Sequence, residues 1–438
     1  MALRDQREEC LDLEERGQQQ LERLQSVLNR AFKSIPFYRN RFRESSLDPS
    51  QVERLEDLAT VPFTERAHFS ENYPYGLFAV PLRDVVRIHT SPGLFMQPTV
   101  SGYTKHDLAV WRELVARALV AAGVSSVDIL QVDLDVGLAN WGRDYKDGAE
   151  IVEASVIPLT VLHPEKQLMI LRDYRTSTLV TTASAASQLA RGMYRASLNA
   201  NALALKTLIL VGEPPDDEAR HRLEDELHVK TWVHYGLSDV PGPALAFECD
   251  VRDGLHVSED HFLAEVIDRD SGKPVPEGEA GELVLTTLTT RAFPLVRFKT
   301  GDRVRFVHGN CPCGRTLRRI QWLPERADDL MVIRGVKVNR GHASMVMERV
   351  LGFVPAKLRF LIRKSPMRDY LEIWLQVEDR LFSDEIKQME KVVLRLGLEL
   401  EQELGVSVRI RFKEEGSFQP SPLEPVSECM DRKDGIIE

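Results

Sequence analysis

Residues 206–227, KTLILVGEPPDDEARHRLEDEL, decide the fold class of this chain. The segment begins with a continuous apolar run that ends at Gly212, which is typical of a buried strand, and continues into a charged segment typical of a helix. Residues 128–134 (DILQVDL) and 178–184 (TLVTTAS) are two further predicted strands, and residues 106–124 predict a helix that Gly123 closes. This alternation predicts βαβ units and a largely parallel sheet, and therefore an α/β fold.

The pattern changes after residue 245. Residues 261–290 predict antiparallel strands joined by a Gly/Pro turn. A short polar stretch at 325–329 then leads into a new strand, and we predict a domain boundary there. The expected domains are a large α/β domain at 1–327, with a β-barrel-like antiparallel part at about 245–325, and a small mobile α+β domain at 328–438.

Composition limits the classes of function. The chain has 438 residues, 43% of them apolar, and a formal net charge of −10 without a clustered basic face, which argues against nucleic acid as a partner. Apolar runs stay well short of the roughly 20 residues that span a bilayer. The first 20 residues are charged and contain no signal-peptide core. We therefore expect a cytoplasmic protein with no membrane partner.

Four residues form a set of soft metal ligands: Cys249, His256, Cys311 and Cys313. Thiolate and imidazole ligands suit a structural zinc ion, and Pro312 and Gly314 favour the tight turn that places two sulfurs on one ion. His261 and His308 are alternative fourth ligands. The alternative interpretation is three buried free cysteines and a surface histidine. We expect the Zn²⁺ ion to stabilise the antiparallel region and to have no catalytic role.

Several long motifs together resemble the phenylacetate–CoA ligases of the adenylate-forming superfamily. They are PFYRNRF (36–42), NYPYGLFAVPLRDVVRIHTS (72–91), YGLSDVPGPALAFEC (235–249), DGLHVSEDHF (253–262), GELVLTTLT (281–289), CPCGR (311–315) and DDLMVIRGVKV (328–338). The resemblance covers nearly the whole chain in family order. It implies the adenylate-forming-enzyme fold, in which an aryl carboxylate reacts with ATP to an acyl-AMP and then with CoA to an acyl-CoA. It also implies the zinc site, which some family members carry.

The resemblance assigns nucleotide-binding roles to individual residues. Tyr235, followed by Gly236, matches the aromatic residue that stacks on adenine, and Gly212 and Glu213 match the loop that borders adenine. Asp302 matches the carboxylate that holds the ribose hydroxyls, since a carboxylate can accept two hydrogen bonds from a diol.

Further roles fall near the predicted boundary. Arg326 matches an arginine that faces the ribose or phosphate. Asp239 stands where the family has a glutamate that helps to hold Mg²⁺, and it is one methylene shorter. The segment that contacts CoA in the family is matched by Arg334, Gly335 and Lys337, and Lys337 is available for the phosphates of CoA. The alternative interpretation of this segment is an ordinary edge of a β-hairpin.

Two positions depart from the family pattern. The loop that binds the triphosphate should occupy 90–99, where this chain has TSPGLFMQPT, with Gln97 in place of a lysine. The C-terminal lysine that drives adenylation should fall within 417–428, a segment that contains none; the nearest is Lys433. Because cations and backbone N–H groups normally cradle the phosphates, we expect ATP binding and adenylation to be weak or absent.

Three functions follow from these features. The first is an enzyme of secondary metabolism that transfers, condenses or cyclises an acyl or aryl thioester, bound to CoA or an acyl carrier protein, without ATP. In that enzyme His234 and Asp239 are candidate acid–base residues, although His234 and His89 can also have purely structural roles. The second is an ATP-dependent aryl-CoA ligase in which Lys299, Lys337 or Lys433 replaces the missing lysines. The third is a non-catalytic partner subunit. The resemblance makes a homodimer the expected oligomer.

Overall fold

The structure is a computed structural model. It describes residues 2–91, 98–134, 138–157, 164–215, 217–240, 242–353, 355, 357–363, 369–376, 386–413 and 426–431. Residues 92–97, which are the centre of the predicted triphosphate loop at 90–99, lie outside the described residues, as does Lys433. Within the described ranges, none of the helices has both the length and the apolar character needed to cross a membrane.

The α-helices are amphipathic or buried segments between the strands. They are α1 (Gln6–Glu9), α2 (Leu13–Ser34), α3 (Pro36–Glu44), α4 (Ala67–Glu71), α5 (Lys105–Ala121), α6 (Ala139–Ile151), α7 (Pro164–Asp173), α8 (Ala183–Arg195), α9 (Asp217–Leu227), α10 (Arg340–Leu351) and α11 (Ile386–Leu404). The predicted helix at 106–124 is α5. It begins at a reciprocal cap between Thr104 and Asp107 and ends just before Gly123, whose φ of 83° suits glycine.

Within the described ranges, the strands form four sheets. They are β1 (Val85–Ser91), β2 (Thr99–Thr104), β3 (Ile129–Asp133), β4 (Ser155–Ile157), β5 (Thr178–Thr181), β6 (Thr207–Val211), β7 (Lys230–Tyr235), β8 (Ala246–Phe247), β9 (Leu255–Val257), β10 (Phe262–Ile267), β11 (Gly281–Thr287), β12 (Phe298–Val307), β13 (Arg319–Arg326), β14 (Leu330–Ile333), β15 (Val336–Asn339), β16 (Leu358–Arg363), β17 (Tyr370–Gln376), β18 (Val408–Lys413) and β19 (Val426–Asp431).

The large sheet has eleven strands in the order β10-β11-β12-β13-β9-β8-β7-β6-β5-β3-β4. Strands β4, β3, β5, β6 and β7 are parallel, as the alternating pattern predicts. Strand β8 then pairs antiparallel with β7, and β9 to β13 continue antiparallel. The antiparallel part, which we expected to be a β-barrel-like part of the large domain, continues the same sheet, because the short β8 joins it to the parallel strands through backbone hydrogen bonds.

Two other predictions need correction. The leucine spacing of residues 5–33 predicts one long helix, but this segment is split into α1 and α2, because Asp12 caps α2 by accepting a hydrogen bond from the backbone of Glu14. The three prolines of residues 416–438 predict an extended tail, but residues 426–431 form β19, which pairs antiparallel with β16. Alternating apolar residues at 357–364, 370–378 and 406–414 predict strands, and residues from about 384 to 404 predict a helix; β16, β17, β18 and α11 lie within these ranges.

The topology also separates the C-terminal elements from the large sheet. Strands β14 and β15 form a two-stranded hairpin, and the remaining strands form a four-stranded sheet in the order β18-β17-β16-β19. The large sheet ends with β13 at Arg326, next to the predicted boundary at 327/328. The division into two domains stays a prediction.

Candidate functional site

A cavity lies at the carboxyl ends of the central parallel strands. The large sheet contributes Gly212, which follows β6, Gly236, which follows β7, and Asp302 on β12. The hairpin β14–β15 contributes Gly335 and Lys337. Carboxyl ends of parallel strands are where open α/β sheets bind ligands. Five residues predicted from the sequence therefore come together in one cavity.

The hairpin turn is pressed against the loop after β6. Arg334 and Gly335 have φ values of 53° and 79°, which give the hairpin its tight turn. A Cβ atom added to Gly212 would lie 2.9 Å from Gly335 Cα, and one added to Gly335 would lie 2.7 Å from Leu138 Cδ1. The close approach of the two backbones requires glycine at both positions.

Asp302 is the centre of a buried charge network. Its Oδ2 accepts hydrogen bonds from the Tyr235 hydroxyl at 2.8 Å and from Lys337 Nζ at 3.1 Å, and its Oδ1 accepts one from Arg326. Burial alone would raise the pKa of this carboxyl group, but Lys337 and Arg326 outweigh it and hold the pKa below its usual value. Asp302 is therefore ionised, and both of its carboxylate oxygens already accept hydrogen bonds from protein groups.

The two cations of this network differ in how firmly they are held. Arg326 also donates to both oxygens of Asp328 at 2.6 Å and to the Thr300 carbonyl at 3.1 Å. Lys337 has Asp302 as its one hydrogen-bond partner within the described chain. Burial lowers the pKa of Lys337 to about 8, against the opposing effect of Asp302. Lys337 is the more easily displaced of the two.

Two of the predicted adenine-binding residues, Tyr235 and Glu213, lie outside the cavity lining. Tyr235 is fully buried, packs edge-on against Trp322 with ring centroids 4.9 Å apart, and does not line the cavity. Glu213 accepts a hydrogen bond from the backbone of Ser184, at the start of α8, at 2.6 Å. Their nucleotide-binding roles stay predictions, and adenine stacking would require Trp322 or the hairpin to move.

The predicted Mg²⁺ residue, Asp239, is 1% exposed and lies on the loop after β7. Its Oδ2 is 2.7 Å from Arg66 Nη1, and among the described residues its Oδ1 has no hydrogen-bond partner. Arg66 lines the cavity and lies over the ring of Phe298, 5.4 Å from its centroid. The sequence analysis did not select Arg66, because nothing in its local pattern distinguishes it from a surface arginine.

The predicted acid–base residue His234 is fully buried and outside the cavity lining. Its Nδ1 is 2.9 Å from the Tyr145 hydroxyl, and burial lowers its pKa to about 3. His89 packs against Tyr103 and Trp111, and burial followed by nearby arginines lowers its pKa to about 4. Both positions favour the structural role, and the catalytic role of His234 stays a prediction.

The candidate metal ligands converge as expected. The ligand atoms of Cys249, His256, Cys311 and Cys313 all lie within 4.8 Å of one another. Cys249 Sγ is 3.6 Å from Cys311 Sγ, and Cys313 Sγ is 3.4 Å from His256 Nε2. Tetrahedral zinc with bonds of about 2.3 Å to sulfur and about 2.0 Å to nitrogen requires separations of about 3.5–3.8 Å. The donor set and spacing therefore fit zinc.

The surroundings of this cluster also suit a metal. His256 Nδ1 lies 3.1 Å from the Leu317 carbonyl, which orients the ring and leaves Nε2 toward the sulfurs. The alternative histidines are elsewhere, since His261 contacts Thr289 at 2.7 Å and His308 faces Glu277 at 3.6 Å. The structure thus brings His256, rather than either alternative, to the cysteines.

Comparisons with known proteins were made by sequence and by structure. No family model matches the chain. The chain is 36% identical over 404 residues to the phenylacetate–coenzyme A ligase of Thermus thermophilus, covering 89% of this chain and 91% of that protein. It is 35% identical over 407 residues to the phenylacetate–coenzyme A ligase of Pseudomonas putida, covering 92% and 91%.

The structural comparison gives two states of one enzyme. The fold matches 2-hydroxyisobutyryl-CoA ligase with 2-HIB-AMP and CoA in the thioesterification state, with a TM-score of 0.86, 24% identity and coverage of 96% of this chain and 90% of that one. The postadenylation state of the same enzyme with R3-HIB-AMP gives a TM-score of 0.69, 24% identity and coverage of 95% and 89%. The fold is therefore that of the adenylate-forming CoA ligases, and at 36% identity over most of its length the chain belongs to the phenylacetate–coenzyme A ligase family.

Proposed function

We propose that the protein is an ATP-dependent ligase that converts an aryl or acyl carboxylate into its CoA thioester through an acyl-adenylate. The observation that carries the proposal is the cavity in which Asp302 and two glycine loops of the large sheet face Gly335 and Lys337 of the hairpin. The ligases of Thermus thermophilus and Pseudomonas putida favour this function over the ATP-independent chemistry that the missing lysines suggest.

The reaction has two balanced steps. A carboxylate oxygen of the substrate attacks the α-phosphorus of ATP, and pyrophosphate leaves. The thiol of CoA, on losing its proton, then attacks the acyl carbon, and AMP leaves with the former carboxylate oxygen. In both steps Asp302 accepts hydrogen bonds from the ribose hydroxyls, and Arg326 keeps its carboxylate ionised and oriented. Gly212 and Gly236 let the loops that line the cavity pack closely against the neighbouring backbone of Gly335 and Gly242.

Asp239 is the residue that would hold Mg²⁺. The buried Oδ1 without a partner among the described residues is a free oxygen ligand, and oxygen is the donor type that Mg²⁺ prefers. The ion would neutralise phosphate charge. Arg66 keeps the other carboxylate oxygen in place at 2.7 Å.

We further propose that adenylation is the slower half of the reaction. Residues 90–99 and 417–428 contain no lysine, so the leaving pyrophosphate has fewer cations than the family pattern supplies. Supplying synthetic acyl-AMP should then bypass the slow step, and a rate of acyl-CoA formation equal to that from ATP and free acid contradicts this order.

Zinc completes the proposal as a structural ion. Cys249, His256, Cys311 and Cys313 provide four protein ligands, which leaves no open position for substrate. A buried ion pair between Glu9 and Arg315, 2.6 Å apart, fastens the N-terminal segment next to this cluster. The ion therefore would stabilise the antiparallel end of the large sheet.

The proposal is tested by incubating purified protein with ATP, Mg²⁺, CoA and a panel of aryl and short acyl acids that includes phenylacetate. We expect acyl-CoA and AMP in equal amounts by mass spectrometry, and none when ATP is omitted. Turnover of an acyl thioester without ATP would instead support the transfer enzyme. No turnover in either case, from protein that is folded and zinc-loaded, would support the partner-subunit function.

A further inference from the structure

Lys337 occupies a position inside the nucleotide cavity, close to the predicted ribose site. It lies on β15, its side chain is 20% exposed, and Nζ donates to Asp302 Oδ2 at 3.1 Å. In the proposed reaction, which this inference assumes, ribose hydroxyls must donate to the same carboxylate. An oxygen that already accepts from Tyr235 and Lys337 has little capacity left for a third donor. Lys337 and a ribose hydroxyl therefore cannot both donate to Asp302 Oδ2, and one of them must leave.

Lys337 is the partner that can leave Asp302. Arg326 is fixed by Asp328 and the Thr300 carbonyl as well as by Asp302. Tyr235 is fully buried. Lys337 carries a compact charge on a flexible four-carbon stem, so its ammonium group can move without moving the backbone.

The ammonium group needs a new anion once it leaves Asp302. Bound AMP or acyl-AMP brings one, because its 5′-phosphate is attached to the same ribose whose hydroxyls replace Lys337 at Asp302. Other cations near the cavity have partners: Arg66 pairs with Asp239 at 2.7 Å, and Lys299 pairs with Glu65 at 3.5 Å in the adjoining polar pocket. Burial with two arginines nearby keeps an unpaired ammonium unfavourable at this site.

We propose that Lys337 exchanges Asp302 for the 5′-phosphate of the bound adenine nucleotide, and so supplies a cation that residues 90–99 and 417–428 lack. The exchange is a substitution of hydrogen-bond partners. Ribose hydroxyls donate to Asp302, and Lys337 donates to a phosphate oxygen. The cation reaches the phosphate from the hairpin, so it acts while the hairpin is closed over the cavity.

The test compares AMP with adenosine, which lacks the phosphate, by calorimetry at neutral pH. Wild type should prefer AMP, and K337M should lose that preference by about 10- to 100-fold, the value of one charge-assisted hydrogen bond. K337R should retain most of it. The matched control K206M removes an exposed lysine that lines neither this cavity nor the adjoining polar pocket, and it should leave the ratio unchanged.

The outcomes separate this inference from the proposed function. If K337M binds both AMP and adenosine more tightly than wild type does, Lys337 only blocks Asp302. If the ratio of AMP affinity to adenosine affinity is unchanged, Lys337 does not contact the phosphate. Either result overturns the inference while the ligase activity remains. A wild type that binds neither ligand and forms no acyl-CoA overturns the proposed function, and this inference with it.

Discussion

Replacing Cys313 by serine should remove the metal and loosen the antiparallel end of the large sheet. A bound ion would link Cys249 to Cys311, which are 62 residues apart in the chain. Closing a loop of that length in the unfolded chain restricts it by about 4 kcal/mol at 25 °C. For a cooperative unit of roughly 300 residues, the unfolding entropy is about 0.6 kcal/mol per kelvin, so the melting temperature should fall by about 7 °C.

The assay pairs elemental analysis with calorimetric melting. Wild type should carry one zinc per chain, C313S should carry none, and chelator-treated wild type should melt together with C313S. The control C10S changes a half-buried cysteine outside the cluster and should keep both the zinc and the melting temperature. A C313S protein with full zinc content, or chelated wild type that melts with the untreated protein, refutes the reasoning.

Three further predictions concern stability and nucleotide binding. R117M breaks two parallel hydrogen bonds of 2.8 and 2.9 Å to the buried carboxylate of Asp260, and it should lower the free energy of unfolding by about 3–5 kcal/mol in denaturant titration. The control R172M removes an arginine of an exposed ion pair and should leave this free energy almost unchanged. Equal losses in the two variants contradict the prediction. Acidification from pH 7 to 5 should destabilise the fold, because the unfolded chain binds a proton that His234, with its pKa lowered to about 3, does not bind when folded. This term reaches about 2 kcal/mol at pH 5, and H234Q should flatten the pH profile of stability; an unchanged slope counts against it. D302N should weaken AMP binding about 10- to 100-fold by calorimetry, and unchanged affinity removes Asp302 from the ribose site.

Much of the fold could be predicted from the sequence because its signals are local. The apolar run that ends at Gly212 marks β6, and the reciprocal cap of Thr104 and Asp107 marks the start of α5. The joining of the antiparallel strands to the parallel sheet could not be predicted, because it depends on the two-residue strand β8, whose pairing with β7 has no signature in its own sequence.

The candidate functional site could also be predicted only in part from the sequence. The four metal ligands were predicted from residue type and turn chemistry, and the structure brings them together. Tyr235 is hydrogen-bonded to Asp302 and buried behind Trp322 instead of facing the cavity, and no motif records how the hairpin packs. The ion pair between Arg66 and Asp239 joins residues far apart in the chain, and a single sequence carries no signal for such a contact. The homodimer, the acyl carrier protein partner and the cytoplasmic location stay predictions.

The transfer of oxygen from substrate to AMP tests the central claim most directly. A carboxylic acid labelled with ¹⁸O in both carboxylate oxygens would be turned over with ATP, Mg²⁺ and CoA, and the phosphate of the product AMP would be analysed by mass spectrometry. An acyl-adenylate intermediate predicts one ¹⁸O atom in each AMP formed. Acyl-CoA accompanied by unlabelled AMP, or formed without any cleavage of ATP, would contradict the account.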